Sequence, residues 1–330
     1  MQAREGPLCP TCPRVRVPGA LPGYCQRVDG RTRHYGTFYG LDPVPEDDGR
    51  PLVLVHGNCQ AESLRVLLGR DGSPVRTVRI PPVHELEAGD LPHLDRLLAH
   101  VDVLVSQPVR ADYRDLPLGT AQLLARAARA PRPVVVPVVR WAALFPFQVI
   151  VRSPAAGEPP VVPYHDLRTL TLAAGRAPLP EVPAADAVRA VRDLSVRELT
   201  ERCRRHGALE VVDLLLAAGA GAAHVVNHPG NPVLVGLARR VLEAAGLPGE
   251  VAEPQRTLLD SVHAPVLPQV LAALGLEGPD GGGGAPAWVV AGREVADEEV
   301  RAAHLDWYRA HPGVAEAGLA RHAEAAALLA

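Results

Sequence analysis

Short apolar runs alternate with helix-length amphipathic segments between residues 52 and 139, and this alternation narrows the fold more than any other feature of the chain. Leu52-Val-Leu-Val-His56, bounded by Pro51 and Gly57, reads as a strand buried on both faces. Residues 59–68 follow with a helical period that sets Leu64, Leu67 and Leu68 on one face. Residues 75–80, 101–105 and 133–139 read as three more strands, with helical patterns at 91–100 and 120–130 between them. Strands joined through helices imply βαβ crossovers. The expectation is an α/β fold with a mostly parallel sheet flanked by helices.

The second half departs from this pattern. Residues 141–183 are irregular and proline-rich, and 184–216 read as one or two amphipathic helices, so 141–217 is expected to be a partly helical insert. A strand at 224–226 and a helix at 232–245, closed by Gly246, resume the α/β pattern. The glycine-rich string at 278–285 reads as a linker, and 295–308 and 314–329 as C-terminal helices. The expected organisation is therefore a flexible tail over 1–30, an α/β domain over 31–277, the linker, and a helical segment over 286–330.

Composition removes several classes. With 47% hydrophobic residues the chain can build a large core, so disorder is excluded as its main state. A formal net charge of −3 argues against nucleic acid as a partner. No apolar run reaches membrane length and residues 1–6 open no export signal, so a cytoplasmic protein without membrane insertion is expected. The five cysteines are Cys9, Cys12, Cys25, Cys59 and Cys203. Cys9 and Cys12 form a CxxC pair that Cys25 and His34 could complete as a zinc knuckle. Only one half of the usual double CxxC pattern is present, so the segment reads as a tail carrying thiols and no metal is expected.

The chemistry concentrates where the first strand meets the first helix, at Gly57-Asn58-Cys59-Gln60. A thiol at a helix N-terminus faces unpaired N–H groups and the positive end of the dipole, which lowers its pKa. Gly57, lacking a Cβ, permits a sharp turn and close approach of a substrate. The amides of Asn58, Gln60 and Gln107 can stabilise a developing oxyanion. His228, after the strand at 224–226, is the expected base, on the same sheet edge as Cys59 and Gln107. Asp260-Ser-Val-His263 supplies a competing base, His263. His56, His165 and Arg168 are further candidates for contacting substrate, the last two within a polar stretch of the insert.

With Ser106-Gln107-Pro108, Asp112-Tyr113-Arg114 and Asn227-His228-Pro229 following in order, the chain resembles the WcbI family of capsular polysaccharide biosynthesis over roughly residues 50–275. The resemblance implies coenzyme A or acyl-CoA as co-substrate and an acyltransferase that O-acetylates a sugar of a surface polysaccharide. Gly57, Arg110, Tyr113, Arg114, Asn227 and Asn231 are the positions expected to meet the coenzyme. Arg140, Arg152 and Arg168 are other cations suited to its phosphates. A looser likeness to SGNH-type esterases aligns Gly57-Asn58-Cys59 with their Gly-Asp-Ser turn, but Val225 stands where their histidine-orienting aspartate would be. A cysteine–histidine pair can act without that carboxylate, because a thiol ionises more easily than a hydroxyl. Three readings follow: a cysteine-dependent acyltransferase whose acceptor is a hydroxyl or amine of a sugar or secondary metabolite, a thioesterase or esterase with water as acceptor, and a non-catalytic protein that binds coenzyme A or a nucleotide sugar.

Overall fold

The structure, a computed structural model, describes residues 29–247, 249–277 and 286–330; the CxxC segment and the glycine string lie outside them. Two short helices, α1 (Gly30–His34) and α2 (Gly36–Tyr39), precede the sheet. β1 (Leu52–His56) is buried along its whole length, as expected of a strand covered on both sides. Val53 and Val55 pack against the leucines of α3 (Cys59–Leu68), and Leu52 and Leu54 against Phe38 and the leucines of α4 (Leu91–Leu98). β2 (Arg76–Thr77), β3 (Val103–Ser106) and β4 (Arg132–Val135) complete a four-stranded parallel sheet in the order β2-β1-β3-β4, with α5 (Thr120–Arg126) between β3 and β4. This is the α/β fold implied by the sequence. The chain leaves β1 toward β2 on one side and returns to β3 on the other. The order therefore reverses at the carboxyl ends of β1 and β3, where open α/β sheets form a ligand-binding crevice.

β2 is shorter than its apolar pattern suggested. Beyond Thr77 the chain turns across the end of β1, where Val83 N–H donates to the Gly57 carbonyl at 2.8 Å, and Pro81 and Pro82 have no N–H to pair. The insert holds a small antiparallel pair, β5 (Gln148–Val149) and β6 (His165–Asp166), followed by α6 (Leu167–Ala173), α7 (Ala185–His206) and α8 (Val212–Ala218).

The strand expected at 224–226 does not extend the parallel sheet. β7 (Ala223–Val225) pairs antiparallel with β8 (His228–Pro229) instead. The outer edge of β4 is already occupied, since Leu209 N–H donates to Val135 at 2.9 Å. Val226 is held by the insert: its N–H donates to Gln148 Oε1 and its carbonyl accepts from Trp141 N–H, both at 2.6 Å. α9 (Asn231–Ala244) then returns to pack on α3. β9 (Val262–His263) and α10 (Pro268–Leu274) follow.

The C-terminal segment is not purely helical. β10 (Ala287–Val290) and β11 (Arg293–Ala296) form a hairpin that pairs with β9 ahead of α11 (Asp297–Ala310), α12 (Pro312–Arg321) and α13 (Ala323–Leu329). Its turn, Ala291-Gly292, has positive φ at both residues (50° and 78°), the conformation that a tight two-residue hairpin loop demands. Helices α11 and α12 pack on α6, and α13 on α7, so the C-terminal segment rests on the insert.

Candidate active site

β1 ends at His56 and α3 begins at Cys59, which puts the thiol on a first helical turn at the carboxyl end of β1. Position 57 has no room for a side chain: a Cβ there would lie 2.4 Å from Gln107 Oε1 and 3.0 Å from the Ala61 Cβ. Gln107 uses that space, its Oε1 accepting from the Asn58 N–H at 2.9 Å. Ser106 and Thr120 hydroxyls in turn hold the Gln107 carbonyl at 2.8 and 3.0 Å. Asn58 caps α3, its Oδ1 accepting from Gln60 N–H at 2.9 Å. The ends of β1 and β3 are thereby stitched together.

Gln60 is a clamp, which corrects its expected oxyanion role. Its Nε2 donates to the carbonyls of Val139 (2.9 Å) and Asn227 (2.7 Å), and its Oε1 accepts from Val139 N–H (2.9 Å) and Gln107 Nε2 (3.3 Å). A carboxamide has two donor hydrogens and two lone pairs, so nothing remains for a substrate. The side chain is buried, which the core tolerates only because every partner is present. Gln60→Leu would strand these partners away from water, at about 1–3 kcal/mol for each group that cannot relax. A loss of about 3–5 kcal/mol is expected, read as a lower midpoint of guanidinium unfolding.

Cys59 is half-buried, and its ionisation runs opposite to the sequence expectation. Burial pushes the thiol up, and the N–H groups of Gln60 and of Cys59 itself offset this only in part. The resting group is a thiol, so a reaction at this sulfur needs a base.

His228 has the orientation of one. Its Nδ1 lies 3.1 Å from the Leu259 carbonyl, which can only accept; the neutral ring therefore carries its proton there and keeps the Nε2 lone pair. Burial lowers its pKa, with His263 acting in the same direction, so the imidazole is neutral near pH 7. The missing aspartate is thus replaced by a peptide carbonyl. Leu259 presents it from a left-handed conformation, φ 55°, which is costly for leucine and is held by its surroundings. Asn231, expected at the coenzyme, does part of that holding: Oδ1 accepts from Leu258 N–H at 2.9 Å and Nδ2 donates to Arg256 at 3.1 Å.

Sequence reasoning overlooked Tyr164. Its hydroxyl donates to Asn227 Oδ1 at 2.8 Å and lies 3.4 Å from His228 Nε2. Burial first, then the nearby charge of an ionised Cys59, pushes its pKa up, so the phenol stays protonated. Its ring stacks on Trp288. The only signal was a tyrosine at the edge of the polar stretch, because its partners come more than 60 positions later. Asn227 is the junction: its carbonyl is held by Gln60, next to Cys59, and its side chain by Tyr164, next to His228.

Other expected residues lie elsewhere. His56 is fully buried with Nε2 on the Leu118 carbonyl at 3.0 Å, and desolvation lowers its pKa to about 4. It does not face a substrate. His165 is buried against α11, 2.5 Å from the Tyr308 hydroxyl. Arg168 lies over Phe147 and is ion-paired to Asp166, Glu181 and Asp297. Both are built into the packing of the C-terminal segment rather than displayed on a substrate loop. Arg110 and Arg114 are exposed on the loop after β3, Arg114 bonded to the His84 carbonyl, while Tyr113 packs partly into the core beside that loop. The Asp260–His263 pair exists at 2.6 Å, with the His263 ring 4.3 Å from that of His224. No hydrogen bond among the described residues links His263 to the Asn227 junction, so His228 is the better placed imidazole. Among the described residues no group of three or more His, Cys, Asp or Glu is arranged to hold a metal.

A parallel sheet with a cysteine, an amide clamp and an oriented histidine around the reversal of its strand order defines an open-sheet α/β protein. The chain belongs to the WcbI family: the family model described as polysaccharide biosynthesis enzyme WcbI matches residues 52–250. The fold is also similar to a solved structure of WcbI, described as a polysaccharide biosynthesis enzyme and as native protein without a disulfide bond between coenzyme A and one of its cysteines. That similarity has a TM-score of 0.68 at 16% identity and covers 85% of this chain and 98% of the other. No curated protein matches the sequence. No helix among the described residues is long and apolar enough to cross a membrane.

Proposed function

We propose that this protein is a cysteine-dependent acyltransferase that moves an acyl group, such as acetyl, from a coenzyme A thioester to a hydroxyl or amine of a sugar. The observation that carries this reading is His228, whose Nδ1–H is fixed on Leu259 and whose Nε2 is free beside Tyr164, joined through Asn227 and Gln60 to the helix bearing Cys59. Family membership and the mention of coenzyme A for the similar structure support the donor.

In the first half-reaction His228 accepts the thiol proton and Cys59 sulfur attacks the thioester carbonyl. The tetrahedral oxyanion takes hydrogen bonds from the Cys59 N–H and from the Asn58 carboxamide N–H, the latter without a protein acceptor among the described residues. The carbon–sulfur bond to coenzyme A breaks, its thiolate recovers the proton from His228, and an acyl-cysteine remains. In the second half-reaction His228 deprotonates the acceptor hydroxyl, which attacks the acyl-cysteine and releases the Cys59 thiol. The test is intact-protein mass spectrometry with acetyl-CoA, with and without a polysaccharide acceptor. The expected result is a 42 Da adduct at Cys59 that is discharged faster when sugar is present, an order-of-magnitude effect of general acid–base positioning. Discharge to water at the same rate with or without sugar would make the enzyme a thioesterase. Absence of an adduct together with absence of turnover would leave a binding protein.

A further inference from the structure

A partly open cavity of about 90 Å³ lies between the chain leaving β4, helix α7 and the start of α13. Arg140, Gln148, Ser195, Glu198, Arg202 and His322 line it. Arg140 is half-buried, yet among the described residues its guanidinium has neither a carboxylate within ion-pair distance nor a hydrogen-bond acceptor. The contrast with Arg168 is informative. That arginine, buried for structural reasons, is ion-paired to three carboxylates. Around Arg140 the charges run the other way: Arg202, Arg321 and Arg152 add to the effect of burial and hold its pKa down near 10, with only Glu198 opposing.

A second, independent group also lacks its partner. Gln148 is 7% exposed; its Oε1 accepts from Val226 N–H at 2.6 Å, while its buried Nε2 has no acceptor. Ser195 adds a hydroxyl, which accepts from Ala142 N–H at 3.1 Å and has only a long contact, 3.5 Å, to the Arg140 carbonyl. The cavity thus presents guanidinium, carboxamide and hydroxyl donors; Glu198 is the one carboxylate in its wall and is not within ion-pair distance of Arg140, and Arg202 spends one N–H on the Val138 carbonyl at 3.2 Å. Two oxygens of a carboxylate would not use them all, whereas three terminal phosphoryl oxygens would. The space is enough for one such group, and the opening to the surface leaves the rest of a substrate outside.

We propose that this cavity binds a terminal phosphoryl group of one substrate, with Arg140 as principal ligand and Arg202, Gln148 and Ser195 as further donors. The inference rests on the acyl-transfer reading only for which substrate carries the phosphate. Gln60 grips Val139, immediately before Arg140, and Asn227, immediately after Val226 of the cavity wall. A ligand anchored here is therefore held by residues that adjoin, in the chain, the peptide groups positioning the Cys59 helix.

The experiment is calorimetric titration of the full chain at low salt with inorganic phosphate, adenosine 3′,5′-bisphosphate and a sugar 1-phosphate. Wild type is expected to bind at least one probe, with the bisphosphate indicating the donor and the sugar phosphate the acceptor. Arg140→Gln should weaken that binding by about 10- to 100-fold, the value of a charge-assisted hydrogen-bonded contact. It should also raise the unfolding temperature of the free protein, because an uncompensated partly buried charge is removed. Gln148→Glu, which keeps the shape and adds a negative charge, should abolish binding. The inference is overturned if wild type binds none of the probes, or if Arg140→Gln binds them as wild type does. Cys59 loading is measured separately, so failure of the phosphoryl site and failure of the acyl-transfer reading are distinguishable.

Discussion

Cys59→Ala is expected to lower kcat/KM for acyl transfer from acetyl-CoA by at least about 10³-fold and to remove the mass adduct, while leaving the unfolding midpoint close to wild type. The size follows from the role: loss of a covalent nucleophile leaves only the binding and oxyanion contributions. The stability expectation follows from position, since the half-buried Cys59 side chain makes no hydrogen bond that anchors the fold and its replacement deletes one partly exposed sulfur. Steady-state rates and denaturation on the same preparation check both. Retention of more than a tenth of the activity would mean that the acyl group passes directly from donor to acceptor.

His228→Ala is expected to cost about 10²- to 10⁴-fold in kcat/KM, the range for a positioned general base. The pH profile separates catalysis from mere packing. His228 must be neutral to accept a proton, and burial lowers its pKa below the usual histidine value of 6.5. Wild-type activity should therefore rise with pH through a limb lying below pH 6.5, reach a plateau, and lose that limb in the variant. Stability carries the same sign. Between the lowered pKa and 6.5 the unfolded chain binds more protons than the folded one, so the native state loses stability as pH falls through that window. A variant that loses activity but retains the wild-type acid limb would remove His228 from the mechanism.

What the sequence disclosed was local in character. β1 and the opening of α3 could be read because Leu52–Val55 is an unbroken apolar run and Gly57-Asn58 is cap chemistry within a few residues. Asn227-His228 could be singled out by residue type. Its sheet context could not, because the edge of β4 is covered by Leu209 through a single backbone bond that no periodicity encodes. Gln60 was noticed but misread: a glutamine beside a cysteine suggests a donor to substrate, and only its partners 79 and 167 positions away reveal a clamp. The pKa of Cys59 reversed for a similar reason. Helix dipoles act locally and can be inferred from sequence, whereas desolvation depends on what the rest of the chain lays over the sulfur. Ala291-Gly292 shows the same limit on a small scale, since an alanine with positive φ hides a hairpin that an asparagine would have announced.

The histidine's orienting partner is a main-chain oxygen, and this changes how the family can be interrogated. Truncation of Leu259 to alanine deletes three carbons and leaves the acceptor in place, so an alanine scan would pass over it. Comparison of relatives would be equally blind, because any amino acid brings the same oxygen. Its contribution is accessible only through chemistry that edits the backbone, such as replacing the peptide by an ester, or through residues like Asn231 that determine where the loop runs.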